Sequence, residues 1–355
     1  MIGALGARRN DRALRGLTLA WTAAGVVVVL AAALLALAIG PVGLGFGSIL
    51  REVASHIPFL SVTSPFTDSE DAILWELRAP RVVLGLLVGA MLASAGAAYQ
   101  GVFRNPLADP YLLGAAAGAG LGATVAIAYA EGAAASRDLR PLAAFAGATL
   151  GVAAAYVLGR SVGGGRSTAT LILAGVTVAS FLTAVQTFVQ QQNTDTVQEV
   201  YAWILGQLET SGWRDVLAIL PYVCVSWVVL LVHRRLLDVL AVGDDEAASL
   251  GVNVARVRLI VLGVATLGTA AAVALSGLIA FVGIIVPHAV RLVAGTSYRV
   301  VLPLSLAFGA AFLVLADLLA RTIVSPAELP IGVVTAFFGA PFFAVVLRMT
   351  RTVGP

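Results

Sequence analysis

The sequence contains no lysine; all 22 of its basic residues are arginine. A nucleotide-binding P-loop needs a lysine to reach the phosphates, so this chain carries no such loop. Charge is scarce, at 12% of 355 residues, where a soluble globular domain has about 25%. That excludes an ordinary cytosolic enzyme. A single cysteine, Cys224, excludes an intrachain disulfide and reads as a small packed hydrophobe inside an apolar run. Three histidines, three methionines and that cysteine form no clustered ligand set, so no metal site and no direct transport of free metal ions are expected. No basic stripe with interleaved aromatics occurs, and the net charge of +3 comes mainly from arginines beside apolar runs, so a nucleic-acid partner is not expected. No glycine-rich turn follows a strand, which excludes a dinucleotide fingerprint.

What is present is hydrocarbon. Hydrophobic residues make up 59% of the chain, in repeated runs of about 20. Such runs predict an all-α polytopic membrane protein, a single transmembrane domain over residues 1–355 surrounded by membrane lipid. A transmembrane barrel would instead alternate apolar and polar residues. Ten spans are expected at about 17–39, 82–103, 111–129, 141–158, 170–189, 214–232, 257–275, 278–294, 301–320 and 331–347. The first follows Arg8, Arg9, Arg12 and Arg15, as a signal peptide would, but its 23 apolar residues are too many for one; it is read as a retained helix. Arginines alternate in the connections: the N-terminal tail, Arg104, Arg160 with Arg166, Arg234 with Arg235, Arg256 with Arg258, Arg291 with Arg299, and Arg348 with Arg351 fall on one side. By the positive-inside rule that side is the cytoplasm, with both termini there. Runs such as Gly114–Ala123 and Gly268–Gly277 are small-residue packing faces. The similar openings at Arg81 and Arg256 suggest an inverted repeat of spans 2–5 and 7–10.

One polar stretch interrupts this pattern on the cytoplasmic side. In Val242–Val252, "VGDDEAASLGV", Asp244 or Asp245 can cap a helix start, Glu246 adds to the charge that favours its positive end, and Gly251 can close it. A helix this short does not persist alone in water. Either it packs on its own bundle or a cytoplasmic partner grips it.

Five segments in order resemble the FecCD family of ABC importer permeases: Glu76–Arg81 ("ELRAPR"), Phe103–Gly114 ("FRNPLADPYLLG"), Glu246–Gly251 ("EAASLG"), Gly277–Leu292, and Leu315–Phe343. The resemblance implies a homodimer of ten-span subunits and two cytoplasmic ATP-binding subunits, with ATP and magnesium held there and no cofactor on this chain. It also implies an extracytoplasmic substrate-binding protein, and a bacterial inner or plasma membrane. It implies that the segment within residues 238–252, with Asp244, Asp245, Glu246, Ala247, Leu250 and Gly251, docks into the ATPase. Arg78, Arg81 and Arg321 match arginines that meet carboxylates of the binding protein at the outer mouth; pairing with Asp317 one turn away is the favoured alternative for Arg321. In the cobalamin importers of the family, Asn105, Leu107, Thr168 and Ala169 match an inner gate, although Ala169 replaces a serine. A plain turn imposed by Pro106 and Pro110 is the other reading.

Gln186 and Gln190 share a helix face and could line a wet outer pathway or cap a helix end. His288 reads as a packed residue. The expected function is ATP-powered inward passage of a bulky metal chelate, a ferric siderophore before haem or cobalamin. An ion-coupled secondary transporter would need acids near the midplane, where only Asp317 comes close; an intramembrane hydrolase would need a base beside a nucleophile, which no histidine offers.

Overall fold

The computed structural model describes residues 17–57, 59, 62–130, 132–163, 168–209 and 212–351. Arg8, Arg9, Arg12, Arg15 and Arg166 lie outside the described residues. Fourteen α-helices follow in chain order: α1 Leu19–Ala38, α2 Phe46–Ser55, α3 Asp68–Ala72, α4 Ala79–Phe103, α5 Ala115–Tyr129, α6 Ala133–Gly163 and α7 Thr168–Gln192. After these come α8 Val197–Ile204, α9 Trp213–Val242, α10 Asp244–Ser249, α11 Val254–Ser276, α12 Val282–Ala294, α13 Tyr298–Thr322 and α14 Ile331–Arg351. A π-helical turn, Ile73–Arg78, joins α3 to α4. Pro80 explains it: the ring has no N–H and crowds the carbonyl four residues back, so the chain widens and the Ala79 amide donates to Leu74 O, five residues back.

Helices stand where all ten apolar runs lie, but among the described residues seven are long and apolar enough to cross a membrane. The exceptions are α5, α12 and α14. At 1.5 Å per residue α5 and α12 reach roughly 20 Å, short of the roughly 30 Å of hydrocarbon. Residues 111 and 278 were expected inside spans; the helices start later because the backbone is broken first. Gly114 (φ 85°) and Phe281 (φ 71°) sit at the N-caps of α5 and α12 in left-handed conformation. Both short helices are the second of their four-helix set, α4–α7 and α11–α14. Irregular backbone at membrane depth is tolerated where protein buries it.

Helix α4 is the axis. Its apolar window is 89% buried, and α13, α11, α9 and α12 pack around it. Small residues allow this: a Cβ at Gly96 would run into the Gly283 carbonyl, so α4 and α12 touch backbone to backbone. Helix α7, by contrast, has only 17% of its apolar window buried, and α5 and α6 are its main supports.

Candidate functional site

At the C-terminal end of α4, which the arginine pattern assigns to the inner side, the short helix α10 forms as a separate turn between α9 and α11. Neither Asp244 nor Asp245 caps it: Gly243 holds the N-cap at φ 154°, ψ 159°, with no side-chain capping bond. The Glu246 carboxylate fills the space that a side chain at Gly243 would need. Gly251 closes the helix as expected, at φ 81°, with its amide 2.9 Å from Ala248 O and the Val252 amide 3.1 Å from Ala247 O. Ala247 is fully buried. Asp245, Glu246, Ala248, Ser249 and Leu250 are exposed, with Leu250 at 68%.

Asp244 has a different task. Its two carboxylate oxygens accept from Arg258 Nη2 at 3.0 and 3.1 Å, and Arg104 Nη2 lies 3.4 Å away. Arg258 belongs to the second turn of α11 and is buried; Arg104 caps α4 in left-handed conformation (φ 50°) with its side chain 40% exposed. Nearby, Asp238 of α9 receives the Tyr298 amide at 2.6 Å and the Ser297 hydroxyl at 2.8 Å, which fixes the start of α13. Arg291 donates to Gln100 Oε1, and Gln100 donates to Gly283 O at 3.1 Å.

The break from Arg104 to Gly114 is a chain of turns. Asn105 Oδ1 accepts the Leu107 amide at 2.9 Å, and Asp109 Oδ1 accepts the Tyr111 amide at 2.8 Å. Leu107 is exposed, while the Tyr111 hydroxyl donates to Ile279 O at 3.2 Å. Thr168 and Ala169 occupy the first turn of α7; among the described residues no hydrogen bond joins them to Asn105 or Leu107. Asp109 escaped the sequence reading. Burial pushes its carboxyl up to about 6, against the lowering effect of the Tyr111 amide.

At the N-terminal end of α4, expected to be the outer one, the arginines are engaged within the chain. Arg78, expected at the mouth, is 6% exposed: Nη1 donates to Leu37 O at 2.7 Å and Ala38 O at 3.3 Å, and Nη2 donates to Val42 O. Arg321 donates to Ala36 O and is also buried. Together the two cap the C-terminal carbonyls of α1, where a cation suits the negative end of the helix dipole. Arg321 Nε also lies 3.7 Å from Asp317, the favoured pairing. Arg81 takes Asp317 through Nε and Nη2 at 2.8–3.2 Å and Glu328 through Nη1 and Nη2 at 3.1 and 2.8 Å. Its fork is full, although Glu328 is half exposed and Arg81 holds the Glu328 carboxyl below its ordinary range. A depression of about 610 Å³ opens beside Arg81, lined also by Arg137, Arg140, Glu209 and Arg214.

Gln186 does not face a pathway within this chain. It is buried, its Oε1 against Gly120 of α5, because that glycine leaves room for it; Gln190 is half-buried. The open face of α7 carries Val176, Ser180, Thr183 and Thr187 instead, and with Asp109 and Tyr111 it borders a groove of about 760 Å³. His288 packs edge-on against Phe342, with ring centroids 5.9 Å apart. Among the described residues no group of three or more histidine, cysteine, aspartate or glutamate side chains could hold a metal ion.

A permease of Bacillus subtilis described as an uncharacterized ABC transporter permease is 43% identical over 276 residues, 78% of each chain. The cobalamin import permease of Halobacterium salinarum is 44% identical over 281 residues, covering 79% of this chain and 74% of its own. The iron(3+)-hydroxamate import permease FhuB of Bacillus subtilis is 35% identical over 337 residues, 93% of this chain and 86% of its own. A solved structure described as an inward-facing, metal-chelate type ABC transporter superposes with a TM-score of 0.78 at 28% identity, covering 92% of this chain and 98% of its own. The model of the FecCD transport family matches across residues 27–349, and the chain belongs to that family of ABC importer permeases.

Proposed function

We propose that this chain is the membrane permease of an importer for a bulky metal chelate, driven by a separate cytoplasmic ATPase that grips α10. The observation that carries the reading is the short helix itself: it is rooted in the bundle by Asp244 and Ala247 yet turns Leu250, Asp245 and Glu246 outward. A large apolar side chain left exposed beside acids, at the inner end of the bundle, is what a docking knob needs. Two copies of the chain meet, in this reading, across the sparsely buried α7 face, whose hydroxyl-bearing groove of about 760 Å³ then lines the path. Asn105, Leu107, Thr168 and Ala169 lie at the inner end of that path. The external binding protein docks at the outer depression, where Arg137, Arg140 and Arg214 line the walls and a partner carboxylate can replace Glu328 on Arg81.

The cargo class favoured is a ferric siderophore, supported by the hydroxamate relative; the cobalamin relative at 44% identity supports cobalamin as the second reading. Titrating the cognate external protein with ferric hydroxamate, ferric citrate, haem and cobalamin, and measuring which one stimulates ATP hydrolysis by the reconstituted complex, tests this directly. Stimulation by cobalamin alone would replace the first reading with the second. Vectorial transport by the purified chain with an ion gradient and no ATPase would reject both.

A further inference from the structure

Three features of the inner end converge on Arg104. The first is the shared carboxylate: Asp244, the first residue of α10, bridges a buried arginine of α11 and the half-exposed Arg104 that ends α4. The second is how the break between α4 and α5 is fastened. Its far end is fixed, because Tyr111 exchanges hydrogen bonds with both the carbonyl and the amide of Ile279 at 3.2 and 3.3 Å, and Pro110 packs against Gly283. Its near end is held by the Arg104 amide on Gly101 O at 3.4 Å, the Asn105 amide on Gln100 O at 3.2 Å and, as its one side-chain tie to α10, Arg104 on Asp244. The third is backbone conformation: Arg104 holds a left-handed φ of 50°, which a residue bearing a Cβ adopts only when its surroundings impose it. Between the two fastenings the Asn105–Leu107 turn makes residues 104–107 a small rigid hook that carries the exposed Leu107.

We infer that Arg104 is a positioning residue that links the cytoplasmic helix to this hook, so that displacement of α10 reaches Leu107 through the Asp244 carboxylate. The inference rests on the reading of α10 as the ATPase-docking helix. A second route, through the covalent connection of α10 to α11 and on to Ile279, reaches the far end of the break at Tyr111 and does not pass through Arg104. The pair suits a moving joint: a long, partly solvated side chain at 3.4 Å tolerates a shift that the closer, buried Arg258 contact does not.

The test uses the complete permease–ATPase complex with Cys224→Ser as background and a nitroxide at Leu107→Cys. In the parent, ATP binding changes the nitroxide spectrum. In Arg104→Ala and Arg104→Gln, that change falls about five- to tenfold, the size of a typical coupling between sites, while assembly and ATP hydrolysis stay at the parent level. Arg104→Lys restores it. A spectral change of parent size in either Arg104→Ala or Arg104→Gln overturns the link, as does loss of assembly in all three Arg104 variants, which would mark the arginine as purely structural. Leu250→Arg separates this from the docking reading. If it abolishes the response while Arg104→Ala keeps it, docking stands and the link falls; if Leu250→Arg leaves hydrolysis and response intact, the docking reading falls.

Discussion

At the outer end of α4, Asp317 is 2% exposed and sits between Arg81 and Arg321. At the inner end, about 35 Å away along the helix, Asp244 sits between Arg258 and Arg104. The residue types are the same and the surroundings are not. Around Asp317, carbonyls at the end of α1 and two carboxylates hold the arginines, and Asp317, Arg78 and Arg321 are buried, so movement of α1 or α13 would strand a buried charge. At the other end Arg258 is buried but Arg104 is 40% exposed, so water can take over the Arg104 bond when it breaks. A cluster whose shared carboxylate is buried, as at Asp317 with its side chain 3% exposed, acts as a lock, whereas one whose carboxylate is 30% exposed, as at Asp244, permits displacement. The closed cluster holds α1, α4 and α13 together; the open one lies where α10 meets the break between α4 and α5.

The sharpest way to break this contrast is Asp317→Leu, which leaves Arg81 and Arg321 facing each other without their shared anion. We expect a loss of about 3–5 kcal/mol in the detergent-solubilised protein, seen as a large fall in melting temperature, and partial recovery when Arg321→Met is added. Arg78→Met should come next, at about 2–3 kcal/mol, because the carbonyls of Leu37, Ala38 and Val42 lose their buried donor. Proteolysis of the α1–α2 segment would report it first. Asp244→Asn should cost only about 1 kcal/mol by thermal melting, since the amide keeps an acceptor for Arg258 and the site is partly wet. An equal cost for Asp244→Asn and Asp317→Leu would abolish the distinction between the ends.

Asp109 sharpens the comparison through pH. Its carboxyl is raised from 3.8 to about 6 in the folded chain, so the folded state binds a proton that the unfolded state has already released. Stability therefore falls as pH rises between those values. Asp109→Asn, which keeps the acceptor for the Tyr111 amide, should melt higher than the parent above pH 6, with the gap closing by about pH 4. A gap that widens on acidification would contradict the burial argument. The smallest effect belongs to Glu328→Gln, at below about 1 kcal/mol, because that carboxylate is 51% exposed; its contribution should shrink further in high salt.

Much of this molecule was written into the local sequence. The apolar runs announced membrane-crossing helices because length and hydropathy are properties of consecutive residues, and the run Asp244–Gly251 announced a short helix with a glycine end. The arginine positions were legible, their partners were not. Arg78 and Arg81 stand three residues apart and read as a pair on one outer face. Their forks diverge because the end of α1 lies beside one and α13 beside the other. Gln186 read as pathway-lining, yet Gly120, on a different helix, leaves the space that draws it inward.

By itself the sequence determined a lysine-free, helical membrane protein with one proline-broken segment and a short acidic turn, since each follows from residues close together in the chain. Only tertiary structure decided which charges are satisfied and which remain open. That choice depends on where distant carbonyls and carboxylates arrive, and a long arginine side chain can reach several of them from the same backbone position.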